Sequence, residues 1–150
     1  MIPPDAEILL AEDNPSDAEL ILATLGEIVD PSRLHRVHDG VEALAFLERS
    51  EAAGQRVGLV LLDIKLPRVD GLQVLERLRS TQAGRLVPVV MLTSSRIPRD
   101  VTAAYALGIN GYVQKPVDFT RFREVMRCLG RFWLTINESP PLDSEASAEA

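Results

Sequence analysis

The sequence is poor in several residue types, and each scarcity excludes something. There is one cysteine, Cys128, which cannot close an internal disulfide. Aromatic residues make up 5% of the chain, with a single tryptophan, so the core must be built from aliphatic side chains. The longest uncharged run, Val101–Gln114, is too short and too polar to span a bilayer. Met1-Ile2-Pro3-Pro4-Asp5 has no basic stretch and no apolar h-region, so a secretory leader is not expected and a cytoplasmic location is. There is no Gly-x-Gly-x-x-Gly and no Gly-Lys-Thr/Ser loop to cradle a nucleotide. Positive charge is in deficit: the net charge is −6, which argues against general affinity for nucleic acid or anionic membrane. Lysine is scarcer still, only Lys65 and Lys115 among 16 Lys+Arg residues. What remains is ordinary globular composition, 46% hydrophobic and 25% charged over 150 residues, which is the length of one domain.

Short continuous apolar runs recur along the chain: Ile8–Ala11, Val57–Leu62, Val87–Leu92 and Gly111–Gln114, with a weaker one at Arg33–Val37. Unbroken rather than alternating hydrophobicity is the mark of parallel strands buried on both faces. Between them lie helical periods. Ala18, Ile21, Leu22 and Leu25 follow Pro15 with Asn14 as cap; Gly40, Ala43, Leu44 and Leu47 follow Asp39; Gly71, Val74, Leu75 and Leu78 follow Asp70. Val101, Ala104 and Gly108 form a poorer stripe, and Phe122, Val125, Met126 and Leu129 a strong one. Five β-α repeats with short crossovers imply right-handed units wound into an α/β, doubly wound five-stranded parallel sheet. Glu138–Ala150 holds four acids, two prolines and no base, and reads as a disordered acidic tail after a domain of residues 1–137.

Polar residues collect where the apolar runs stop. Glu12 and Asp13 follow the first run, Asp63 the third, Thr93 the fourth and Lys115 the fifth. Open α/β sheets bind ligands outside the carboxyl ends of their strands, where the winding reverses. Three carboxylates meeting there would need a cation among them, and oxygen ligands suit Mg²⁺. A lone aspartate after a strand is more often a helix cap. Four strand ends carrying Glu-Asp, Asp, Thr and Lys are harder to dismiss that way. In a chain so dominated by arginine, Lys115 at a strand end suggests a compact point charge of the kind that meets phosphate. His35 and His38 have no partner at metal spacing and are expected in solvent, and Cys128 is expected to pack within the last helix.

Glu12-Asp13-Asn14, Leu62-Asp63-Ile64-Lys65-Leu66-Pro67-Arg68-Val69-Asp70-Gly71, Leu92-Thr93-Ser94-Ser95 and Gly111-Tyr112-Val113-Gln114-Lys115-Pro116 resemble, in order, the motifs of response regulator receiver domains of two-component systems. The resemblance covers roughly residues 7–135. It implies the strand order 2-1-3-4-5 (the order the general rule for this fold class gives for a chemotaxis receiver). It implies that Asp63 accepts a phosphoryl group from a sensor histidine kinase. Asp13, Asp63 and the Lys65 backbone carbonyl would bind Mg²⁺, and Glu12 would hold a metal-bound water. Lys115 would neutralise a phosphoryl oxygen across a cis Lys115–Pro116 bond. Thr93 would be the switch hydroxyl and Tyr112 its aromatic partner, while small Ser94 would leave the phosphate accessible. Ser95 and the Lys65 side chain would flank the site and tune hydrolysis.

Residues 12–20 and the Phe132-Trp133-Leu134 ending are similar to single-domain regulators paired with bacterial phytochromes, which implies a red-light-sensing kinase. The acidic tail and Ile64-Lys65 depart from that pattern. With no residues left for an effector domain, output is expected through contact with a downstream protein. Phe132, Trp133 and Tyr112 are expected on a homodimer or partner surface formed by the fourth helix, fifth strand and fifth helix. The rival roles are a phosphorelay intermediate or phosphate sink, an aspartyl-phosphate phosphohydrolase and a non-phosphorylated scaffold. Lys65 stands where the hydrolase would need a second acid. The scaffold would normally lack one of the site groups, all of which are present.

Overall fold

Residues with branched apolar side chains pair into five parallel strands, and the residues between them coil back across the sheet faces. In the computed structural model, which describes residues 1–141, the elements alternate as follows. They are β1 Glu7–Ala11, α1 Pro15–Leu25, β2 Leu34–Val37, α2 Gly40–Ala52, β3 Val57–Leu62, α3 Gly71–Arg79, β4 Val89–Thr93, α4 Pro98–Ala106, β5 Gly111–Gln114 and α5 Phe119–Arg131. The sheet order is β2-β1-β3-β4-β5, all parallel, so winding reverses between β1 and β3. The expected fold and strand order are present.

Because side chains alternate along a strand, the apolar runs feed two cores. Ile8, Leu10, Leu59, Leu61, Val90 and Leu92 pack with α1 and α5 through Ile21, Leu25, Phe122 and Met126. Leu9, Val60, Leu62 and Met91 point the other way, onto Ala43, Val74, Leu75 and Ala104 of α2, α3 and α4. Each fully buried leucine contributes about 1.5–3 kcal/mol relative to exposure. Asn14, Asp39 and Asp70 cap their helices by accepting from the backbone N–H of Asp17, Glu42 and Gln73. Asp118 caps α5 in the same way through Thr120.

The departures from expectation are local. β4 begins at Val89 rather than Val87, since Pro88 lacks an N–H and only its carbonyl joins the ladder, to Val60 N at 2.9 Å. Arg33 belongs to a short turn before β2, and its guanidinium holds the Ala6 and Pro3 carbonyls. α5 runs on as a π-helical turn, Phe132–Ile136. That turn lays Trp133 half-buried against the α1/α5 core, edge-on to the more exposed Phe132 at 5.1 Å. Trp133 therefore serves its own core first. His35 is not in open solvent but lies between Glu7 and the Phe46 ring, whereas His38 is exposed. Cys128 faces solvent rather than the helix packing. The expected acidic tail falls largely in 142–150, outside the described residues; of its start, Pro140 accepts a hydrogen bond from Arg56.

Gly71 sets how closely α3 approaches β3. Its N–H donates to the Ile64 carbonyl at 2.8 Å, and a Cβ there would lie 2.1 Å from the Asp63 carbonyl oxygen. Backbone cannot yield as a flexible side chain would. Gly71→Ala is expected to destabilise the fold by about 1–3 kcal/mol in urea unfolding. An unchanged midpoint would mean that the loop after β3 can move aside.

Candidate functional site

The sheet ladder delivers the chemistry-bearing residues to one crevice. Past the end of β1, Glu12 donates its N–H to Val37 O of β2 at 3.1 Å. Asp63 follows β3 and donates its N–H to Ala11 O at 3.2 Å, which seats it beside Glu12 and Asp13. Lys115 follows β5 and donates its N–H to Thr93 O at 2.8 Å, tying the far side of the crevice to the end of β4. The crevice is therefore at the carboxyl ends of β1 and β3, where the winding reverses.

One carboxylate oxygen from each of Glu12, Asp13 and Asp63 lies within 4.8 Å of the other two. Glu12 and Asp63 are buried, at 1% and 6% exposure, and Asp13 faces solvent. The Lys115 ammonium reaches Asp63 Oδ2 at 2.8 Å and Asp17 Oδ2 at 3.1 Å, and it also pairs with Glu12 Oε1. Lys65 N donates to Asp63 Oδ1 at 3.2 Å, and Asn14 N to Glu12 Oε2 at 3.2 Å. The Lys115–Pro116 peptide is trans, because the described residues contain no cis bond. Trans is the intrinsically favoured isomer even before proline, and the ammonium reaches the carboxylates from it.

Thr93 is fully buried, and its hydroxyl accepts from Ser95 N at 3.3 Å. Ser95 Oγ donates to Asp100 Oδ2 at 2.6 Å. Tyr112 packs half-buried against the α2/α3/α4 core, with its hydroxyl donating to the Ser95 carbonyl at 2.8 Å. Thr93, Ser95 and Tyr112 thus form one connected set leading from the crevice to the start of α4. Asp17 was not singled out from sequence. Its signal was its place in the first turn of the helix that follows Glu12-Asp13, which turns it back toward the crevice. Phe132 and Trp133 lie at the end of α5 and have no part in this cluster.

Burial lifts the Glu12 carboxyl from 4.5 to about 7; the Lys115 hydrogen bond and charge oppose the rise, and the Asp63 charge adds to it. Burial alone would depress the Lys115 ammonium, but its hydrogen bonds to Asp63 and Glu12, with their charges, hold it above its ordinary value. Burial also raises the Tyr112 phenol, assisted by the Asp100 and Asp63 charges. The donor set is oxygen only and strongly negative, which fits a hard divalent cation such as Mg²⁺.

This sheet order and acidic crevice define a receiver domain. The family model for the response regulator receiver domain matches residues 8–127, and the chain belongs to that family. Among curated relatives, it is 36% identical to the probable methanogenesis regulatory protein FilR2 of Methanothrix harundinacea, over 89% of this chain and 86% of that one. It is 33% identical to response regulator Rcp1 of Synechocystis, over 87% and 90%. Among solved structures, the phosphorylated cyanobacterial phytochrome response regulator RcpA matches with a TM-score of 0.85 at 33% identity, covering 91% of this chain and 99% of that one. The Mn²⁺-bound form of Rcp1 matches with a TM-score of 0.81 at 32% identity, covering 91% and 99%. Its relatives thus include phytochrome-associated regulators. Receiver domains are signalling proteins that receive a phosphoryl group from histidine kinases and bind a divalent metal in this acidic pocket. Among the described residues no helix is long and apolar enough to cross a membrane.

The raised Glu12 carboxyl has a consequence for stability. Between pH 4.5 and about 7 the folded chain keeps a proton that the unfolded chain releases. Glu12 therefore costs stability as pH rises through that window, and the cost is constant above it. In chelator, Glu12→Gln is expected to gain on the wild type in unfolding free energy between pH 4.5 and 7. An equal difference at both pH values would show that the carboxyl titrates normally.

Proposed function

We propose that Asp63 accepts a phosphoryl group from the phosphohistidine of a sensor kinase in a Mg²⁺-dependent reaction. The observation that carries this reading is the meeting of Glu12, Asp13, Asp63 and Lys115 in one crevice. An Asp63 carboxylate oxygen forms the bond to phosphorus, the P–N bond to the kinase imidazole breaks, and the imidazole leaves with the electron pair. Asp13, Asp63 and the Lys65 carbonyl would hold the ion, and Glu12 would hold a water beside it. When bound, the ion supplies screening of the charge that gathers on the phosphoryl oxygens. Lys115 turns from the carboxylate to a phosphoryl oxygen. Thr93 then leaves Ser95 N for the phosphate, and the Ser95–Tyr112 contact carries the change to α4 and β5. The added charge of about −2 biases two states of this set.

The working unit is residues 1–137, with Glu138–Ala150 as an acidic extension, and the setting is the cytoplasm. The cognate kinase is a red-light sensor of the bacteriophytochrome type; the likeness to RcpA and the motif at Glu12–Leu20 support it. FilR2, named for methanogenesis, is comparably identical, so phosphotransfer profiling against kinases of the source genome decides this point. The output is a protein contact through α4, β5 and α5. A homodimer through the same face, with Tyr112, Phe132 and Trp133 at its edge, is supported by exposed Phe132 and Ile136, 44% and 62% accessible.

Incubation with Mg²⁺ and acetyl phosphate is expected to add one phosphoryl group by intact mass, and Asp63→Asn to abolish it. Persistent labelling of that variant would move the acceptor elsewhere. Sedimentation should give a dimer that Phe132→Ala shifts toward monomer. A wild type that is monomeric with and without phosphate would remove the dimer.

A further inference from the structure

The Lys115 ammonium has three N–H donors, and Glu12, Asp17 and Asp63 each offer it an oxygen. A phosphoryl group on Asp63 inherits the one donor that Asp63 now accepts. A second donor for it requires that Glu12 or Asp17 be released. Glu12 is almost fully buried, and its release would strand a charge away from water. Asp63 is the group being modified. Asp17 is the most exposed of the three, at 21% of its side chain, so water can replace the ammonium there at least cost.

We propose that Asp17 is a positioning residue that holds Lys115 in the resting state and competes with the incoming phosphoryl group for it. The proposal rests on Asp63 being the phosphoacceptor. Asp17 is aimed rather than wandering, because its N–H donates to the capping Asn14 Oδ1 at 3.0 Å and its carboxylate leaves the first turn of α1 toward Nζ at 3.1 Å. From Asp63 Oδ2 the path is 2.8 Å to the ammonium and 3.1 Å onward to Asp17, so a dianionic phosphodonor arrives within a few ångströms of a second negative charge. Removing that charge both frees the lysine and lowers the repulsion.

The test measures phosphorylation by acetyl phosphate and Mg²⁺ against donor concentration, read as intact mass. An Asp63 oxygen gains the phosphorus, the donor's acyl O–P bond breaks and acetate leaves with the pair. Asp17→Asn is expected to lower the half-saturating donor concentration about threefold to tenfold at low ionic strength. The gap should narrow in high salt, as a charge effect does and a packing effect does not. Asp17→Ser should move the same way, which guards against a fold defect peculiar to one variant. Glu19→Gln removes the same charge from an exposed position on the same helix and should leave the wild-type value. Unchanged or weaker donor use by both Asp17 variants, or an equal gain in Glu19→Gln, would overturn the proposal while leaving Asp63 as acceptor. A wild type that takes up no phosphoryl group would remove both.

Discussion

One buried ammonium makes the crevice possible. Two carboxylates about 5 Å apart repel by roughly 3 kcal/mol at an effective dielectric of about 20. Glu12, Asp13 and Asp63 form three such pairs, two of whose members are shielded from water. Lys115 answers that repulsion from the opposite side, where a backbone hydrogen bond to Thr93 places it. Burial opposes the Glu12 charge more than the Lys115 hydrogen bond and charge support it, which is why Glu12 sits on the edge of protonation near neutrality. The site is therefore poised: it is satisfied enough to fold, and it retains enough negative charge to favour a hard divalent cation.

The rest of the fold keeps these groups from drifting. Glu12, Asp63 and Lys115 each directly follow a strand whose neighbours are fixed by the ladder, so their backbones have little freedom. Arg36 at the edge of the sheet adds bonds to the Glu12 and Asp13 carbonyls at 3.1 and 3.4 Å. Gly71 lets α3 close directly over the Asp63 backbone. On the other side, Thr93 and Tyr112 sit in the β4–β5 ladder, but Ser95, in the loop after β4, joins each of them by a single hydrogen bond. Rigid ends for the acids and a lightly held loop for the switch suit a change of surface driven from one side chain.

The two kinds of residue were not equally legible beforehand. Strand-end acids and the lone strand-end lysine could be read directly, because each stops an apolar run. Val57–Leu62 and Gly111–Gln114 have the bounds their hydrophobicity suggests. The sequence runs extend to Val87 and Arg33 because hydrophobicity ignores the ladder, which Pro88 and the Pro31 turn interrupt. The sequence points His35 to solvent because its partners, Glu7 and Phe46, come from other elements. The apolar neighbours of Cys128 in sequence suggest packing, yet the face of α5 it occupies points outward.

What the order of residues by itself determined was the alternation of strand and helix, the caps at Asn14, Asp39 and Asp70, and the identity of the groups at the strand ends. These follow from local periodicity and from short-range hydrogen bonding. What only the tertiary structure decided was which of those groups touch. The third carboxylate on Lys115 comes from a residue 98 positions away, the Lys115–Pro116 bond is trans, and Trp133 lies on its own core. Such contacts depend on the angles at which helices cross the sheet. Those angles are set by the packing of side chains from many elements at once, which no local pattern encodes.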